Sequence, residues 1–323
     1  MTKNSIYKNA ERIKCNSQYR VCFCENKVEV FDKYKNLVKE FNSREFDDGF
    51  FSSDGQKIVL LSPFDYLKIY DIVNDSLSQK IYLKTNIKDE FVAADNKGAW
   101  DMEGNYIFMP VMNKINNLLV SHINIIDSST HEIVKIDELN NEVYVSYVFC
   151  CPQNDEIYVV GINRLNKCWV LFSLSAPEDV ITLSDKNSHL DFSYYNEEMN
   201  ALVVLYKEGI FVIDVTTGTL FNPLKDLKEK NKKTYKEMKK FKLLSKVSFD
   251  GRFLILGAHS FFKGSRTICF DVRKNEIKLA AYHTFPPYSI TKIEENLWLV
   301  IQSDGNYCLH YDETSNEFTR ELL

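Results

Sequence analysis

A short apolar run that ends in an acid recurs along this chain: VEVFD at 28–32, LKIYD at 67–71, INIID at 123–127, IFVID at 210–214, TICFD at 267–271 and YCLHYD at 307–312. A further copy, WVLFS at 169–173, ends in serine. Seven copies at intervals of roughly forty to sixty residues leave few folds open. Repeats of that length, built from short strands, belong to propellers and solenoids. One small sheet cannot bury both of its faces. Several packed around an axis can, and they leave only short, protected edges.

Each run is the third strand of a larger unit. The clearest unit spans 242–283. It reads as strand 242–249, an Asp250-Gly251 turn, strand 252–258, a loop at 259–265, strand 266–271, a turn at 273–275 and strand 276–282. Asp-Gly between two extended runs is a strong hairpin signal. The same order of elements can be laid over about 4–42, 46–84, 97–137, 142–183, 189–222, 242–283 and 287–322. The expectation is an all-β chain, a single domain over 1–323. It is a seven-bladed β-propeller of four-stranded antiparallel blades, with a helical insert at about 224–240. EFTREL at the C-terminal end supplies the outer strand of the last blade. Residues 4–13 supply the first strand of the first.

The recurring acid is best read as a turn former. DVRKNE, DIVNDS, DSSTHE, DVTTGT and DETSNE follow the runs. Asp, Asn, Ser and Thr bond to backbone N–H groups two residues on. The acids are therefore not pieces of one active site.

The Ser53-Asp54-Gly55 and Ser248-Phe249-Asp250-Gly251 turns, with the runs above, resemble those of the WD40 and YVTN-type propeller families. The Trp-Asp ending of the first and the Tyr-Val-Thr-Asn tetrapeptide of the second are absent. The resemblance implies an interaction platform, with some related propellers being enzymes.

A formal charge of −5 gives no general signal for nucleic acid. Eight cysteines in a chain this long, several inside strand-like runs, fit buried thiols rather than a disulfide framework. The opening MTKNSIYKNAERIK has no apolar signal segment, and no run is long enough to cross a membrane. A cytoplasmic monomer is expected.

Against that acidic background stands LKDLKEKNKKTYKEMKKFKLL, 224–244. Leu224, Leu227, Asn231, Tyr235 and Met238 recur at helical steps, so a lysine-rich amphipathic helix fits. Blade topology puts this insert on the same face as the loops between second and third strands. That face carries the expected partner-binding residues: Phe64, Tyr66, Arg164, Lys232, Lys233, Lys236, His259, Phe261, Phe262, Lys263 and Tyr288. Exposed aromatics beside Arg and Lys are typical of binding centres. The alternative is that the aromatics fold inward and cap the ring.

Catalytic motifs are missing. The six histidines form no HxH or HExxH pattern, and there is no P-loop, dinucleotide fingerprint or GxSxG. His122 and His310 read as core or channel residues, and His259 as a loop residue. Ser260 and Ser265 have no visible base. No cofactor or metal is expected. The reading is a protein-interaction scaffold whose partner is another protein, acidic where it meets the insert. The alternative is a propeller hydrolase or lyase with its site near the central channel.

Overall fold

The computed structural model describes residues 5–42, 45–63, 65–83, 90–94, 98–115, 118–139, 142–183, 190–206, 209–224, 227–238, 243–260 and 264–323. Seven antiparallel sheets follow one another along the chain, five of them plain four-stranded meanders and two with one further short strand off the meander. They are the blades of a seven-bladed β-propeller with a short helical element outside the blades. The first sheet holds β1 (Ala10–Cys15), β2 (Tyr19–Cys24), β3 (Lys27–Asp32) and β4 (Leu37–Asn42). The second holds β5 (Asp48–Phe51), β6 (Lys57–Leu61), β7 (Tyr66–Asp71), β8 (Ser76–Leu77) and β9 (Ile81–Tyr82). In the third, β10 (Glu90–Ala94) and β11 (Ala99–Trp100) both pair with β12 (Tyr106–Ile115), followed by β13 (Leu118–Asp127) and β14 (Ile133–Asp137).

The fourth comprises β15 (Val143–Cys151), β16 (Glu156–Asn163), β17 (Trp169–Ser173) and β18 (Ala176–Thr182). The fifth comprises β19 (Leu190–Asn196), β20 (Ala201–Tyr206), β21 (Gly209–Asp214) and β22 (Leu220–Phe221). The insert then forms α1 (Leu227–Lys230) and α2 (Lys232–Met238). The sixth sheet is β23 (Leu243–Phe249), β24 (Phe253–Ser260), β25 (Gly264–Asp271) and β26 (Glu276–His283). The seventh is β27 (Ser289–Glu294), β28 (Leu297–Ile301), β29 (Tyr307–Asp312) and β30 (Glu317–Leu322). The chain packs as two compact units, 14–188 and 189–323 with 1–13.

The repeated acid does what its position requires. Asp32, Asp71, Asp127, Asp214, Asp271 and Asp312 each accept a backbone N–H two or three residues on, from Tyr34, Asn74, Ser129, Thr217, Lys274 and Thr314, at 2.7–3.0 Å. The turns close on a left-handed residue, for example His131, Gly218, Asn275 and Asn316. Gly218 and the two asparagines tolerate that conformation well. At Asp127 the Ser129 hydroxyl, then the Thr130 and Ser129 N–H groups, hold the carboxyl down to about 2. In the copy that lost its acid, the Ser173 hydroxyl accepts the Ser175 N–H at 3.3 Å.

Sheet-to-sheet packing is apolar with polar ties at the turns. In residues 14–188, Asn16 Nδ2 donates to Gly55 O at 3.1 Å, Ser53 Oγ to Asp101 O at 2.7 Å, and Met102 N to Asp155 Oδ1 at 3.3 Å. In the other unit, Tyr194 and Asn196 donate to Phe249 O at 3.1 and 2.7 Å. Asn306 Nδ2 ties the seventh sheet to the N-terminal segment through the carbonyls of Tyr7, Lys8 and Ala10, at 2.9, 3.2 and 2.7 Å.

Three local expectations change. The first strand starts at Ala10, because Ser5–Tyr7 forms a 3-10 turn. Residues 112–115, which read from sequence as the start of a polar loop, stay in the ladder: β12 and β13 are in register out to Ile115 and Leu118. His310 is exposed on β29, because alternation with buried Leu309 and Tyr311 turns it outward. The eight cysteines form no disulfide. Burial pushes the Cys22 and Cys269 thiols up, which suits packing rather than reactivity.

Candidate functional site

The lysine-rich insert is two short helices rather than one. Asn231, the polar member of its apolar stripe, lies between them and caps the second: its Oδ1 accepts the Thr234 N–H at 3.1 Å. Its Nδ2 donates to Asn275 O at 2.9 Å, in the turn between β25 and β26. Leu227 is 1% exposed within the core formed by Val203, Leu205, Ile210 and Val212 of the fifth sheet and Leu254, Leu256 and Ile268 of the sixth. Leu224 and Tyr235 pack on the same core.

The path of the insert follows from those anchors. Asn231 is held at the Asn275 end of the sixth sheet. Leu243 is paired with His259 at the other end. Asn231 and Leu243 thus stand at opposite ends of that sheet. Thr234 and Tyr235 turn inward while Lys230, Lys232, Lys233 and Lys236 are exposed. Arg273 and Lys274, in the turn that receives Asn231, are exposed as well. The result is a basic strip on an acidic chain.

A second polar group lies at the His259 end of the same sheet. His259 expects a loop from sequence, but β24 runs on through Ser260, so the hairpin places His259 opposite Ser265 and Ser265 opposite His283. Directly opposed residues share a sheet face. The His259 Nδ1 lies 2.9 Å from Ser265 Oγ, and Ser265 is fully buried. Two residues along, Thr267 Oγ1 meets the Tyr307 hydroxyl at 2.7 Å and His283 Nε2 at 3.1 Å. Tyr307 OH is also 2.9 Å from His283 Nε2. The rings of His283 and Tyr307 stack at 5.3 Å, with the Arg320 guanidinium 4.3 Å from the Tyr307 centroid. Burial, then Arg320, holds the His283 pKa down to about 4, against the pull of Asp304. At neutral pH His283 is thus uncharged, and the tautomer with an acceptor Nε2 suits a Tyr307–Thr267–His283 hydrogen-bond chain.

The remaining expected contacts are scattered. Tyr66 is buried, its hydroxyl donating to Glu45 Oε1 at 2.8 Å, with Lys80 4.1 Å over its ring. It neighbours an open depression of about 420 Å³ lined by Lys80, Tyr82, His131, Glu132 and Ile136. Arg164 lies 4.9 Å over the Tyr144 ring. Tyr288 is exposed at 58%, and so is Phe285 at 54%, so this loop does not fold inward. Phe64, Phe261, Phe262 and Lys263 lie outside the described residues. Lys232 and Lys233 begin next to Asn275, whereas His259 stands at the opposite end of the strands. Asn231, beside Lys232 and Lys233, is therefore anchored at the turn end of the sixth sheet.

Sequence reading missed Ser265, Thr267, His283, Tyr307 and Arg320 as a group. Ser265 and His259 are six residues apart, but only the hairpin register pairs them. Tyr307 comes from the next sheet. Among the described residues no cluster of three or more His, Cys, Asp or Glu has metal-binding geometry. Among them too, no helix is long and apolar enough to cross a membrane.

No family model and no curated protein matches this sequence. Solved structures match in number, 1311 chains. One of them is dihydro-heme d1 dehydrogenase NirN in complex with DHE, with a TM-score of 0.61 at 14% identity. The match covers 99% of this chain and 66% of that one. At that identity the likeness shows the propeller fold, which serves scaffolds and enzymes alike.

Proposed function

We propose that this propeller is an interaction scaffold whose basic strip receives an acidic protein segment. The observation that supports it is the anchoring of the insert. Leu227 is buried and Asn231 is bonded at both ends of its amide, so Lys232, Lys233 and Lys236 are presented from a fixed backbone. An anchored cluster of like charge raises the local concentration of an oppositely charged partner and speeds encounter. The resemblance to WD40 and YVTN-type propellers supports the same role. Titration calorimetry with a poly-glutamate peptide tests it. Binding should weaken with added salt and be lost in the Lys232→Glu, Lys233→Glu, Lys236→Glu triple variant, with the melting temperature unchanged. Equal binding by the triple variant rules the strip out.

A second reading is enzymatic, and two observations favour it. The propeller with dihydro-heme d1 dehydrogenase in its name is an enzyme. In this chain, Ser265 and His259 stand at hydrogen-bond distance, the arrangement of a nucleophile and its base. A hydrolase would use that pair, on the second and third strands of the blade rather than on the first strand, which in a propeller lines the channel. Turnover of a p-nitrophenyl ester by the purified chain should fall in both Ser265→Ala and His259→Ala. Turnover that is absent, or equal in all three proteins, removes this reading.

A further inference from the structure

The turn between β25 and β26 joins the insert to the seventh sheet. On one flank its Asn275 carbonyl takes the Asn231 amide. On the other, Lys274 Nζ donates to Asn316 Oδ1 at 2.8 Å, in the turn between β29 and β30. Asn316 Oδ1 also accepts the Tyr311 hydroxyl at 2.7 Å, and that hydroxyl accepts from Arg252 Nη2 at 2.7 Å. Arg252 Nε lies 3.4 Å from Asp271 Oδ2. Asp271 Oδ1 takes the Lys274 N–H at 3.0 Å, which closes the circuit. Asp271 is fully buried, whereas Asp32, Asp71, Asp127, Asp214 and Asp312 are only half-buried. A buried carboxylate needs a counter-charge, and Arg252 supplies it.

The charges of this circuit do not cancel. Arg252 answers Asp271, and the Lys274 ammonium is left over. It ends on a neutral amide oxygen, and no carboxylate among the described residues pairs with it. Lys39, Lys135 and Lys292 end instead on the carboxylates of Asp75, Asp137 and Glu198. Asp312, at the start of the turn that holds Asn316, is taken up locally and accepts the Thr314 N–H at 2.8 Å. A carboxylate fixes a lysine and cancels its charge. An amide fixes the lysine and leaves the charge whole. Lys274 is exposed, so that charge is offered to solvent. Ordering a long side chain opposes binding, and one already held avoids part of that cost.

We propose, on the footing that the basic strip is the binding surface, that Lys274 is a further contact for the acidic segment and that Asn316 and Tyr311 are positioning residues for its ammonium. The partner then lies across the Asn231–Asn275 joint. Its acids meet Lys232, Lys233 and Lys236 on the insert side and Lys274 on the side of the seventh sheet. The chemistry this fits is a run of acidic residues long enough to cover both flanks.

Asn316 has a left-handed backbone, φ 58°. Glycine adopts that conformation freely, so Asn316→Gly removes the acceptor, suits the turn and changes no charge. Titration calorimetry of the full chain with a poly-glutamate peptide, well below the melting temperature of every variant, tests the proposal. Lys274→Gln should weaken binding by about two- to fivefold. Its affinity should also fall less steeply with added salt. Asn316→Gly should weaken binding by about twofold. In the Lys274→Gln background Asn316→Gly should change nothing, because the lysine it positions is gone. A merely structural role for Asn316 predicts the same loss in both backgrounds. That result, or no loss in either, overturns the proposal. So does wild-type affinity in Lys274→Gln when the Lys232→Glu, Lys233→Glu, Lys236→Glu variant has lost binding; the strip then stands without Lys274. If the wild type itself does not bind the peptide, the strip falls and Lys274 falls with it.

Discussion

The fifth and sixth sheets lie next to each other in sequence and finish their outer edges differently. The sixth ends in β26, eight residues paired along almost the whole of β25. The fifth ends in β22, two residues paired only to Val212 and Ile213. The insert follows that short strand in the chain, and its Leu227 closes the core between the two sheets. The difference teaches what a helix can offer at a blade edge. A strand alternates its side chains and keeps its outer ladder exposed. A helix satisfies its own backbone, buries one stripe and leaves the rest of its circumference for charge. The basic strip exists because the segment after β22 is helical.

That contrast can be broken in stages. The greatest loss is expected on the strand-built side, where Phe253 meets Tyr311 at 4.4 Å, Phe318 at 5.0 Å and Trp298 at 6.0 Å. Phe253→Ala should cost about 3–5 kcal/mol in denaturant unfolding. Leu227→Ala, on the insert side, should cost about 2–4 kcal/mol, because a helix held at few points can settle into the space. If the two losses are equal, the insert is as integral as a strand. Asn231→Ala removes a cap and the Asn275 bond together, about 1–2 kcal/mol. Amide exchange should speed up in α2 and stay unchanged in β26.

The mildest test is pH. The His283 folded-state value near 4 lies below the ordinary imidazole value of about 6.5. As pH falls, the unfolded chain takes the proton first, so stability is lost from about pH 6.5 down to about pH 4. His283→Gln should flatten that part of the stability profile, which pH-dependent melts would read. An unchanged slope would show that imidazole burial is not its source.

Much of the fold could be read from the chain. The VEVFD-type runs are the third strands, and their acids form the turns they were expected to form. Asp250-Gly251 makes the hairpin that its dipeptide announces, with Asp250 Oδ1 accepting from Phe253 N at 2.7 Å. Less of the site could be read. Lys232, Lys233 and Lys236 are exposed on helix as their periodicity implies. The role of Asn231 could not be seen, because an asparagine in an apolar stripe reads as a flaw until its cap and its Asn275 bond are known. The Ser265 row depends on where the β24–β25 hairpin turns. Moving that turn by one residue would put Ser265 on the other face.

Ser173 bears on how such a chain can be recognised at all. Its turn takes the Ser175 N–H on a hydroxyl, and the carboxylate at this turn comes from Glu156 on the neighbouring strand, which accepts both the Ser173 and the Ser175 hydroxyls. A turn of this kind can therefore lose the acid at its usual position, with a short acceptor there and a carboxylate from the next strand, while the ladder behind it stays intact. Seven such turns can drift independently, each substitution removing a little of the written signature and almost nothing of the architecture. Shape then outlasts spelling, and a propeller of this kind is found by its backbone after its words have gone.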